Sequence, residues 1–449
     1  MAQLIPTLTE ALAMCGNNPE AMAQIRTECY QRINKYNSRF NVFLRILPPP
    51  SSNQTFSEKL FGTPIAIKDL YHLRGTPTTA GSRIFTDHIA DENAVVVDKL
   101  VENGAHIIGK ANTHEIALGV TGTNPHYGDV PNPWDPERII GGSSSGSAAA
   151  VTLGMCLAAL GTDTGGSVRI PASLAGIVGF KPTFGRVSTK GIVPLSWNLD
   201  HAGTLTRCVE DAALILEIIS GFELTDPYSV NMPTDRYSAD LNMGVKNFKI
   251  GILSGDMITF AEPEIRSAIK ASAQVFRELG ADVEEVKLDF LKQAALANTN
   301  MLKTDAAAFH SKSIQEQPEL FGEDIRIRLL EGRDFPAADY ALARRIQTET
   351  IHRMHIFFAE YDALILPATP FIAPKFNETN PLKQASLLNR FTAPFNLCGA
   401  PAISLPGGFS SEGLPIGLQI VAAQWNEKKL LRIAHAYEVT AKWDMYQPQ

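Results

Sequence analysis

Apolar residues along the chain follow two spacings, one typical of strands and one of helices. Short apolar runs bounded by turn residues predict buried strands, and apolar residues three or four positions apart predict amphipathic helices. Predicted strands lie at residues 64–68, 106–109, 157–162, 249–253, 282–286, 363–367, 402–405 and 416–421. Predicted helices lie at 9–42 (one or two), 94–103, 147–157, 209–219, 263–279 and 427–440. Their alternation indicates an α/β fold.

Two changes of pattern indicate how the chain is organised. The sequence LPPPSSN at 47–53 is typical of a linker. Residues 1–58 are therefore interpreted as an N-terminal helical segment packed on a core domain that spans 59–449. Between 221 and 345 the chain has a strand–helix–strand pattern of its own and then a charged, mostly helical stretch. We interpret 221–345 as a lobe inserted into the core domain.

Composition and charge exclude several classes of function. The 449 residues are 45% hydrophobic and 19% charged, as expected of a globular protein with a large core. A net charge of −7 without any run of Lys and Arg argues against nucleic acid as a direct ligand. No apolar run is long enough to span a membrane, and the N-terminus lacks the basic start of a signal peptide. We therefore expect a cytoplasmic protein that does not enter a membrane.

The cysteines and histidines give no sign of a metal site. The five cysteines are scattered and form no C-x-x-C pair, which also argues against a disulfide framework. The ten histidines contain no H-E-x-x-H motif and no pair at metal-binding spacing. We expect neither a metal ion nor another cofactor.

Two glycine-serine loops are the candidates for chemistry. The second loop, TDTGGS at 162–167, follows a predicted strand. Its two consecutive glycines allow backbone N–H groups to converge on one point, which is the geometry that holds a developing oxyanion. Its last four residues, TGGS at 164–167, could instead form a tight turn in which Ser167 caps the next helix. The loop alone leaves both interpretations open.

The first loop, GGSSSGS at 141–147, fits two known motifs poorly. It matches the G-x-S-x-G nucleophile elbow, but that motif needs a strand directly before it, and residues 132–138 are loop. The elbow also needs a catalytic histidine, and His435 lies in an ordinary amphipathic helix. A phosphate-binding P-loop is excluded because no Lys-Ser/Thr pair follows the glycines. A flexible linker is disfavoured because an alanine-rich helix begins at once.

Lys68 ends the apolar run at 65–67. It could be a strand-end residue that reaches solvent, which is the favoured interpretation of the lysine by itself. It could also be a buried amine, whose pKa burial would lower enough for it to act as a base near neutral pH.

Seven segments, in order along the chain, include both loops and the lysine. They are 62–69 (GTPIAIKD), 109–115 (GKANTHE), 141–150 (GGSSSGSAAA), 160–172 (LGTDTGGSVRIPA), 176–186 (GIVGFKPTFGR), 199–211 and 413–419 (GLPIGLQ). Together they resemble the amidase signature family. The resemblance extends from about residue 60 to the C-terminus and is weakest at 221–360, which makes the lobe the more variable part.

This resemblance implies a serine hydrolase with a Ser–Ser–Lys triad. The implied fold is a single large mixed β-sheet covered by helices on both faces. By motif position, Ser167 is the nucleophile, Ser143 the bridging serine after a cis peptide bond, and Lys68 the base. The implied oxyanion hole consists of the backbone N–H groups of Thr164, Gly165, Gly166 and Ser167. The expected substrate contacts are Gly119, Val120, Thr121 and Ile170.

Two departures from the family pattern bear on the substrate. Residue 170 is Gln in the glutaminase subunits of tRNA-dependent amidotransferases, whereas this chain has the apolar Ile170. Residues 389–394 also contain no acidic residue that could hold the ammonium group of glutamine. Both departures favour a general amidase, acting on a neutral or apolar amide, ester or carbamate as a monomer or homodimer.

Two other functions remain as alternatives. The first is the glutaminase (A) subunit of an aminoacyl-tRNA amidotransferase. For that function Arg328 is a candidate contact for a substrate carboxylate, although a solvated helix charge is the favoured interpretation of this residue. The second is a scaffold without activity, which the presence of Lys68, Ser143 and Ser167 argues against.

Overall fold

The computed structural model describes residues 5–15, 20–51 and 59–443. Their strands form one sheet of 11 strands in the order β1-β3-β2-β4-β6-β5-β10-β11-β9-β7-β8. The strands are β1 (Phe43–Ile46), β2 (Pro64–Lys68), β3 (His106–Ala111), β4 (Ala158–Asp163), β5 (Val178–Lys181), β6 (His201–Thr206), β7 (Lys249–Ser254), β8 (Asp282–Lys287), β9 (Ala363–Pro367), β10 (Ala402–Phe409) and β11 (Pro415–Val421). The sheet is mixed, because β2 pairs in parallel with β3 and β4 while β4 pairs antiparallel with β6.

Helices lie between the strands and cover the sheet. They are α1 (Leu8–Cys15), α2 (Ala21–Phe40), α3 (Val95–Glu102), α4 (Ser145–Thr152), α5 (Arg169–Ala175), α6 (Val209–Ile219), α7 (Pro263–Glu278), α8 (Leu291–Phe309), α9 (Ser311–Glu316), α10 (Glu323–Arg333), α11 (Ala337–Glu360), α12 (Pro381–Leu388), α13 (Ala393–Leu397) and α14 (Glu427–Ala441). Every residue of β2, β4 and β6 is buried. Since successive residues of a strand point to opposite faces, both faces of the sheet are covered there. The predicted α/β fold with a single large mixed sheet is confirmed.

The predicted strands are all present, and three further strands join them. The sequence analysis missed β1, β5 and β6. Of these, β6 contains Gly203 and two threonines, so it lacks the apolar run that marks a buried strand. A Cβ at Gly203 would lie 2.6 Å from the carbonyl oxygen of Phe180 in β5, so the close approach of the two strands accounts for the glycine.

The proposed domain boundaries stay predictions, and two observations bear on them. Strand β1 belongs to the segment expected to be helical, and it pairs with β3 of the core. Strands β7 and β8 belong to the expected lobe, and β7 pairs with β9, so they extend the same sheet. The boundary at residue 58 lies outside the described residues. Within the described ranges, no helix combines the length and apolar character that a membrane span requires.

Parallel pairing of β2 and β4 brings the chemical groups to one edge of the sheet. The two strands lie side by side and run in the same direction, with Ile67 opposite Leu160. Lys68 is the last residue of β2, and Thr162 and Asp163 are the last two of β4. The second glycine-serine loop therefore begins beside Lys68.

Candidate active site

Lys68 is a buried amine that contacts two hydroxyl groups. Its side chain is fully buried, and its Nζ lies 2.7 Å from Ser143 Oγ and 2.7 Å from Thr162 Oγ1. Burial lowers its pKa to about 7, against the opposing effect of the carboxylates of Asp200 and Asp163. The favoured interpretation of Lys68 as a solvent-exposed strand end was therefore wrong. The family resemblance, which made it a base, agrees with its surroundings.

The first loop fixes Ser143 against Lys68. The Gly142–Ser143 peptide bond is cis, as the resemblance implies. The carbonyl oxygen of Ser143 accepts hydrogen bonds from Thr113 Oγ1 at 2.9 Å and from the backbone N–H of His114 at 3.2 Å. Helix α4 begins two residues later, so the serine is held between the start of a helix and the segment after β3.

Three hydrogen bonds orient the peptide planes of the second loop. Asn298 Nδ2 donates to the carbonyl oxygen of Thr164 at 3.2 Å, and Thr392 Oγ1 donates to that of Gly165 at 2.7 Å. The carbonyl oxygen of Gly166 accepts from the N–H of Ile170 at 2.7 Å. In a trans peptide the N–H of the following residue points away from the carbonyl. These bonds therefore fix the directions of the N–H groups of residues 165–167.

For Gly166 the expected oxyanion hole needs a correction. The N–H of Gly166 donates to Asp163 Oδ1 at 2.8 Å, so this group is already hydrogen-bonded. Gly166 has a φ of 134°, and a Cβ there would lie 2.2 Å from Thr392 Oγ1, so only glycine fits. The sequence could not show that the N–H of Gly166 is bonded to Asp163 whereas that of Gly165 is a candidate oxyanion donor, because the two glycines are identical and adjacent.

A buried ion pair supports the loop from beneath. Arg169 donates to both carboxylate oxygens of Asp163, at 2.9 and 3.0 Å, and to Gln419 Oε1 at 2.6 Å and Asn396 Oδ1 at 2.7 Å. Burial alone would raise the pKa of Asp163, but the charge and hydrogen bonds of Arg169 hold it well below its usual value. Arg169 is fully buried, so it stabilises the loop and does not reach a ligand.

Ser167 lies on the wall of a cavity of about 320 Å³. Its carbonyl oxygen accepts from the N–H of Ser144 at 3.2 Å, which ties the two loops together. Among the described residues, its hydroxyl group forms no hydrogen bond. Other residues of the wall come from the segment 117–120, from the loop residue Gly165, from helices α8, α10 and α12, and from Asn389.

Two of the four expected substrate contacts lie on this cavity and two do not. Gly119 and Val120 line it. Thr121 is fully buried, and its hydroxyl group lies 2.8 Å from that of Thr123. Ile170 is also fully buried and packs with Val120 in an apolar cluster behind the loop. Thr121 and Ile170 therefore do not line this cavity, and their assignment as substrate contacts stays a prediction.

Arg328 lines the cavity, although the sequence analysis favoured a solvated charge. It is only 6% exposed, and it donates to the carbonyl oxygens of Leu118 at 3.0 Å and Pro381 at 2.5 Å. The favoured interpretation was wrong because Arg328 lies on the same face of α10 as the buried Ile325 and Leu329. That spacing of three and four residues was a signal that could have found it.

Asp200 was missed together with β6, which begins directly after it. Its Oδ1 accepts from Thr164 Oγ1 at 2.6 Å, and its Oδ2 accepts from the N–H groups of Leu195 and Ser196 at 2.9 and 3.1 Å. Burial raises its pKa to about 6 in spite of these hydrogen bonds. Asp200 therefore holds Thr164 of the second loop and acts electrostatically on Lys68.

Comparisons with known proteins identify the family and the fold. The model of the family described as Amidase matches residues 24–431. The A subunit of the glutamyl-tRNA(Gln) amidotransferase of Geotalea daltonii is 37% identical over 412 residues, which cover 86% of this chain and 85% of that protein. The crystal structure of the corresponding A subunit of Thermotoga maritima is 35% identical, with a TM-score of 0.85 and coverage of 96% and 94%. A 6-aminohexanoate cyclic dimer hydrolase is 26% identical, with a TM-score of 0.92 and coverage of 100% and 99%. The chain belongs to the amidase family.

Proposed function

We propose that this amidase forms an acyl-enzyme on Ser167, with Ser143 as the bridging hydroxyl and Lys68 as the base. The observation that carries the proposal is the 2.7 Å contact between Lys68 Nζ and Ser143 Oγ in a fully buried setting. With a pKa of about 7, roughly half of the Lys68 amines are uncharged at pH 7 and can accept a proton.

The reaction then takes place in two stages. Ser143 passes its proton to Lys68 and takes the proton of Ser167, whose oxygen attacks the carbonyl carbon of the amide. When the C–N bond breaks, the proton returns from Lys68 through Ser143 to the leaving nitrogen. A water molecule next loses a proton along the same path and attacks the acyl-serine. The carboxylic acid leaves, and Ser167 regains its proton.

The backbone of the second loop stabilises the oxyanion in both stages. Because Gly166 is bonded to Asp163, the donors are the N–H groups of Thr164, Gly165 and Ser167. One such donor typically contributes about 100- to 1,000-fold to the rate of acyl transfer. The hydrogen bond from Asn298 to the carbonyl oxygen of Thr164 and the one from the N–H of Ile170 to the carbonyl oxygen of Gly166 keep the N–H groups of Gly165 and Ser167 in place before substrate arrives.

Arg328 favours a substrate that carries a carboxylate. Its guanidinium group has five N–H donors, and two backbone carbonyls take only part of them. Of the two departures that favoured a neutral acyl group, Ile170 does not line the cavity. The other, the absence of an acidic residue at 389–394, still leaves the ammonium group of glutamine without a partner there. Lys303, the other cationic residue on the wall, already pairs with Glu331 at 2.9 Å. A small carboxamide with a carboxylate at its other end, such as glutamine, fits this pattern of charge.

A second candidate function is that of the A subunit of a glutamyl-tRNA(Gln) amidotransferase. The similarity of the relatives that carry this name, over 85% or more of each chain, favours it over a general amidase that works alone. In this case the chain would act in the cytoplasm with partner subunits, and the expectation of a monomer or homodimer would not hold. Glutamine hydrolysis by the purified chain, measured alone and with candidate partner subunits added, separates the two functions.

Arg328→Met tests the substrate class, with Lys303→Met as the matched control. For a carboxamide bearing a carboxylate, Arg328→Met should raise KM at least about 10-fold, because a charge-assisted hydrogen bond contributes about 1.5–3 kcal/mol. The same variant should leave KM for an uncharged amide of similar size unchanged. Lys303→Met should change neither value by more than about twofold. If Arg328→Met raised KM equally for both substrates, Arg328 would only support the fold.

A further inference from the structure

Helix α8 runs along the cavity that contains the candidate nucleophile. Leu296, Thr299 and Lys303 line the cavity and are three or four positions apart, so they share one face of the helix. Lys292 lies on the same face, one turn before Leu296 and about 16 Å from Lys303 at about 1.5 Å per residue. Asn298, whose side chain holds the second glycine-serine loop, lies about halfway between them. The loop therefore faces the middle of α8.

The start of α8 and the end of α12 meet at Phe260. Lys292 Nζ lies 5.7 Å from the centre of the Phe260 ring, and the guanidinium carbon of Arg390, just after α12, lies 3.8 Å from it. We call these three residues the outer cluster. Phe260 and the lining residue Leu296 are 37% and 62% exposed, so this end of the cavity opens to solvent. The described wall of the cavity includes neither cation, which places the outer cluster just beyond the opening.

The other ends of the two helices meet at Arg328. This residue lines the cavity and donates to the carbonyl oxygen of Pro381, the first residue of α12. One turn later on the helix of Arg328, Glu331 pairs with Lys303 of α8 at 2.9 Å. The cavity therefore has a cationic group at each end, Arg328 at one and the outer cluster at the other. The second glycine-serine loop lies between them.

The outer cluster carries two positive charges that no carboxylate compensates within residues 5–15, 20–51 and 59–443. In these ranges neither Lys292 nor Arg390 forms an ion pair or a side-chain hydrogen bond. Burial lowers the pKa of Arg390, and no neighbouring carboxylate of the described chain opposes this shift. At the other end, in contrast, Lys303 has Glu331 as its partner. All five N–H donors of Arg390 are therefore free to bind an anion.

We propose that the outer cluster is a subsite for a carboxylate on the leaving amine. The preferred substrate is then an N-acyl amino acid whose acyl group also carries a carboxylate, one for each cationic end. This inference rests on the proposed function, because it assumes that Ser167 is acylated and that Arg328 binds the acyl carboxylate. Hydrolysis adds one water across the C–N bond and gives a dicarboxylic acid and an amino acid. A primary carboxamide such as glutamine fills only the Arg328 end.

The order in which the products leave assigns the two halves of the substrate. The amine leaves when the acyl-enzyme forms, whereas the acyl group stays on Ser167 until water attacks. Arg328 is only 6% exposed, which suits the half that stays. The outer cluster lies at the end that opens to solvent past Leu296, which suits the half that leaves first. The leaving nitrogen receives its proton as in the proposed reaction, so its balance is unchanged.

Two amides that differ only in the leaving amine test the subsite. N-glutarylglycine releases glycine, and N-glutarylisobutylamine releases an amine of the same shape, in which two methyl groups replace the carboxylate oxygens. For the wild-type enzyme, kcat/KM should be at least about 5-fold higher for N-glutarylglycine, because its second carboxylate binds a free guanidinium group. This ratio should shrink between about 20 mM and about 500 mM NaCl, since salt screens exposed charges. A wild-type ratio of one overturns the subsite.

Three variants assign the ratio to the outer cluster. Arg390→Met should bring it to about one, and Arg390→Lys should retain at least about a third of it, because the charge remains. Arg353→Met is the matched control, since Arg353 lies 5.3 Å from the ring of Phe290 but belongs to α11, which adds no residue to the described wall. It should leave the ratio unchanged.

Each other result rejects the subsite. An unchanged ratio in Arg390→Met, including an equal loss on both amides, would show that Arg390 only supports the fold. An equal fall of the ratio in Arg353→Met would show a diffuse effect of surface charge. If Arg390→Met does not fold by circular dichroism, Arg390→Gln replaces it with the same criteria.

Failure of the subsite and failure of the proposed function are distinguishable. Glutaramate, the primary amide with the same acyl group, has no carboxylate on its leaving group and reports the proposed function alone. Turnover of glutaramate that is lost in Ser167→Ala, together with a ratio of one or no turnover of the two larger amides, rejects the subsite alone. An active Ser167→Ala rejects the proposed catalytic assignment itself.

Discussion

Acid should switch this enzyme off with a midpoint near pH 7, because only uncharged Lys68 can accept the proton from Ser143. Burial lowers the pKa of Lys68 to about 7, so protonation begins well above the range in which ordinary carboxylates titrate. The uncharged fraction falls to about 9% at pH 6 and about 1% at pH 5. We expect kcat/KM to fall about 100-fold from its alkaline plateau to pH 5, with a slope of one per pH unit.

The assay must show which group causes this loss of activity at low pH (the acid limb of the pH profile), because two other buried groups have pKa values near 7. Burial also lowers the pKa of Lys181 to about 7 and raises that of Asp200 to about 6. The measurement is kcat/KM for an uncharged amide between pH 5 and 9, since this parameter reports the free enzyme. Lys181→Met should leave the midpoint of this pH-dependent loss unchanged, because the hydrogen bonds of Lys181 within the described residues go to the backbone carbonyls of Pro182 and Ala400.

Asp200→Asn should move the limb in a known direction. The carboxylate of Asp200 raises the pKa of Lys68, so its loss lowers that pKa, and the midpoint moves to lower pH. A rate that stays constant down to pH 5 would refute Lys68 as the base. Loss of the limb in Lys181→Met would assign it to Lys181 instead.

Three further outcomes follow from the buried groups. Ser167→Ala should abolish amide turnover and leave the melting temperature nearly unchanged, since its hydroxyl group forms no hydrogen bond within the described residues. Lys68→Met should be inactive but gain stability relative to wild type as pH falls from about 10.5 to 7. Over that range Lys68 binds a proton in the unfolded chain but not in the folded one, which lowers the stability of wild type by about 4–5 kcal/mol. If the melting temperatures of Lys68→Met and wild type differed by the same amount at pH 10 and at pH 7, the lowered pKa would be contradicted. Arg169→Met should destabilise the fold by about 3–5 kcal/mol in urea unfolding, because it leaves Asp163 buried without its partner; a loss below about 1 kcal/mol would show that the pair is not needed.

Local pattern was enough to predict most of the sheet. Buried strands with continuous apolar runs, such as β2 and β9, could be read from the sequence. In contrast, β6 is buried by its neighbours although its own residues are small or polar. Its burial depends on strands β4 and β5, which are distant in sequence, so no local spacing marks it.

The proposed triad came from motifs, whereas the surroundings of its residues could not be predicted from the sequence. The positions of Lys68, Ser143 and Ser167 came from the order of the matching segments. The pKa of Lys68 depends on how deeply two loops and a neighbouring strand bury it, which sequence does not state. The burial of Arg328 was misjudged because the direction of its side chain is set by tertiary packing.

The two halves of the catalytic cavity come from different stretches of the chain. Residues 68–167 supply every group to which we assign proton transfer or the oxyanion, whereas helices α8, α10 and α12, together with Asn389, supply much of the rest of the wall. Substrate choice and bond cleavage are therefore encoded largely in different stretches. Exchange of the later stretch for that of another amidase could redirect the enzyme to a new amide if the new stretch kept Asn298 and Thr392, which hold carbonyl groups of the second loop.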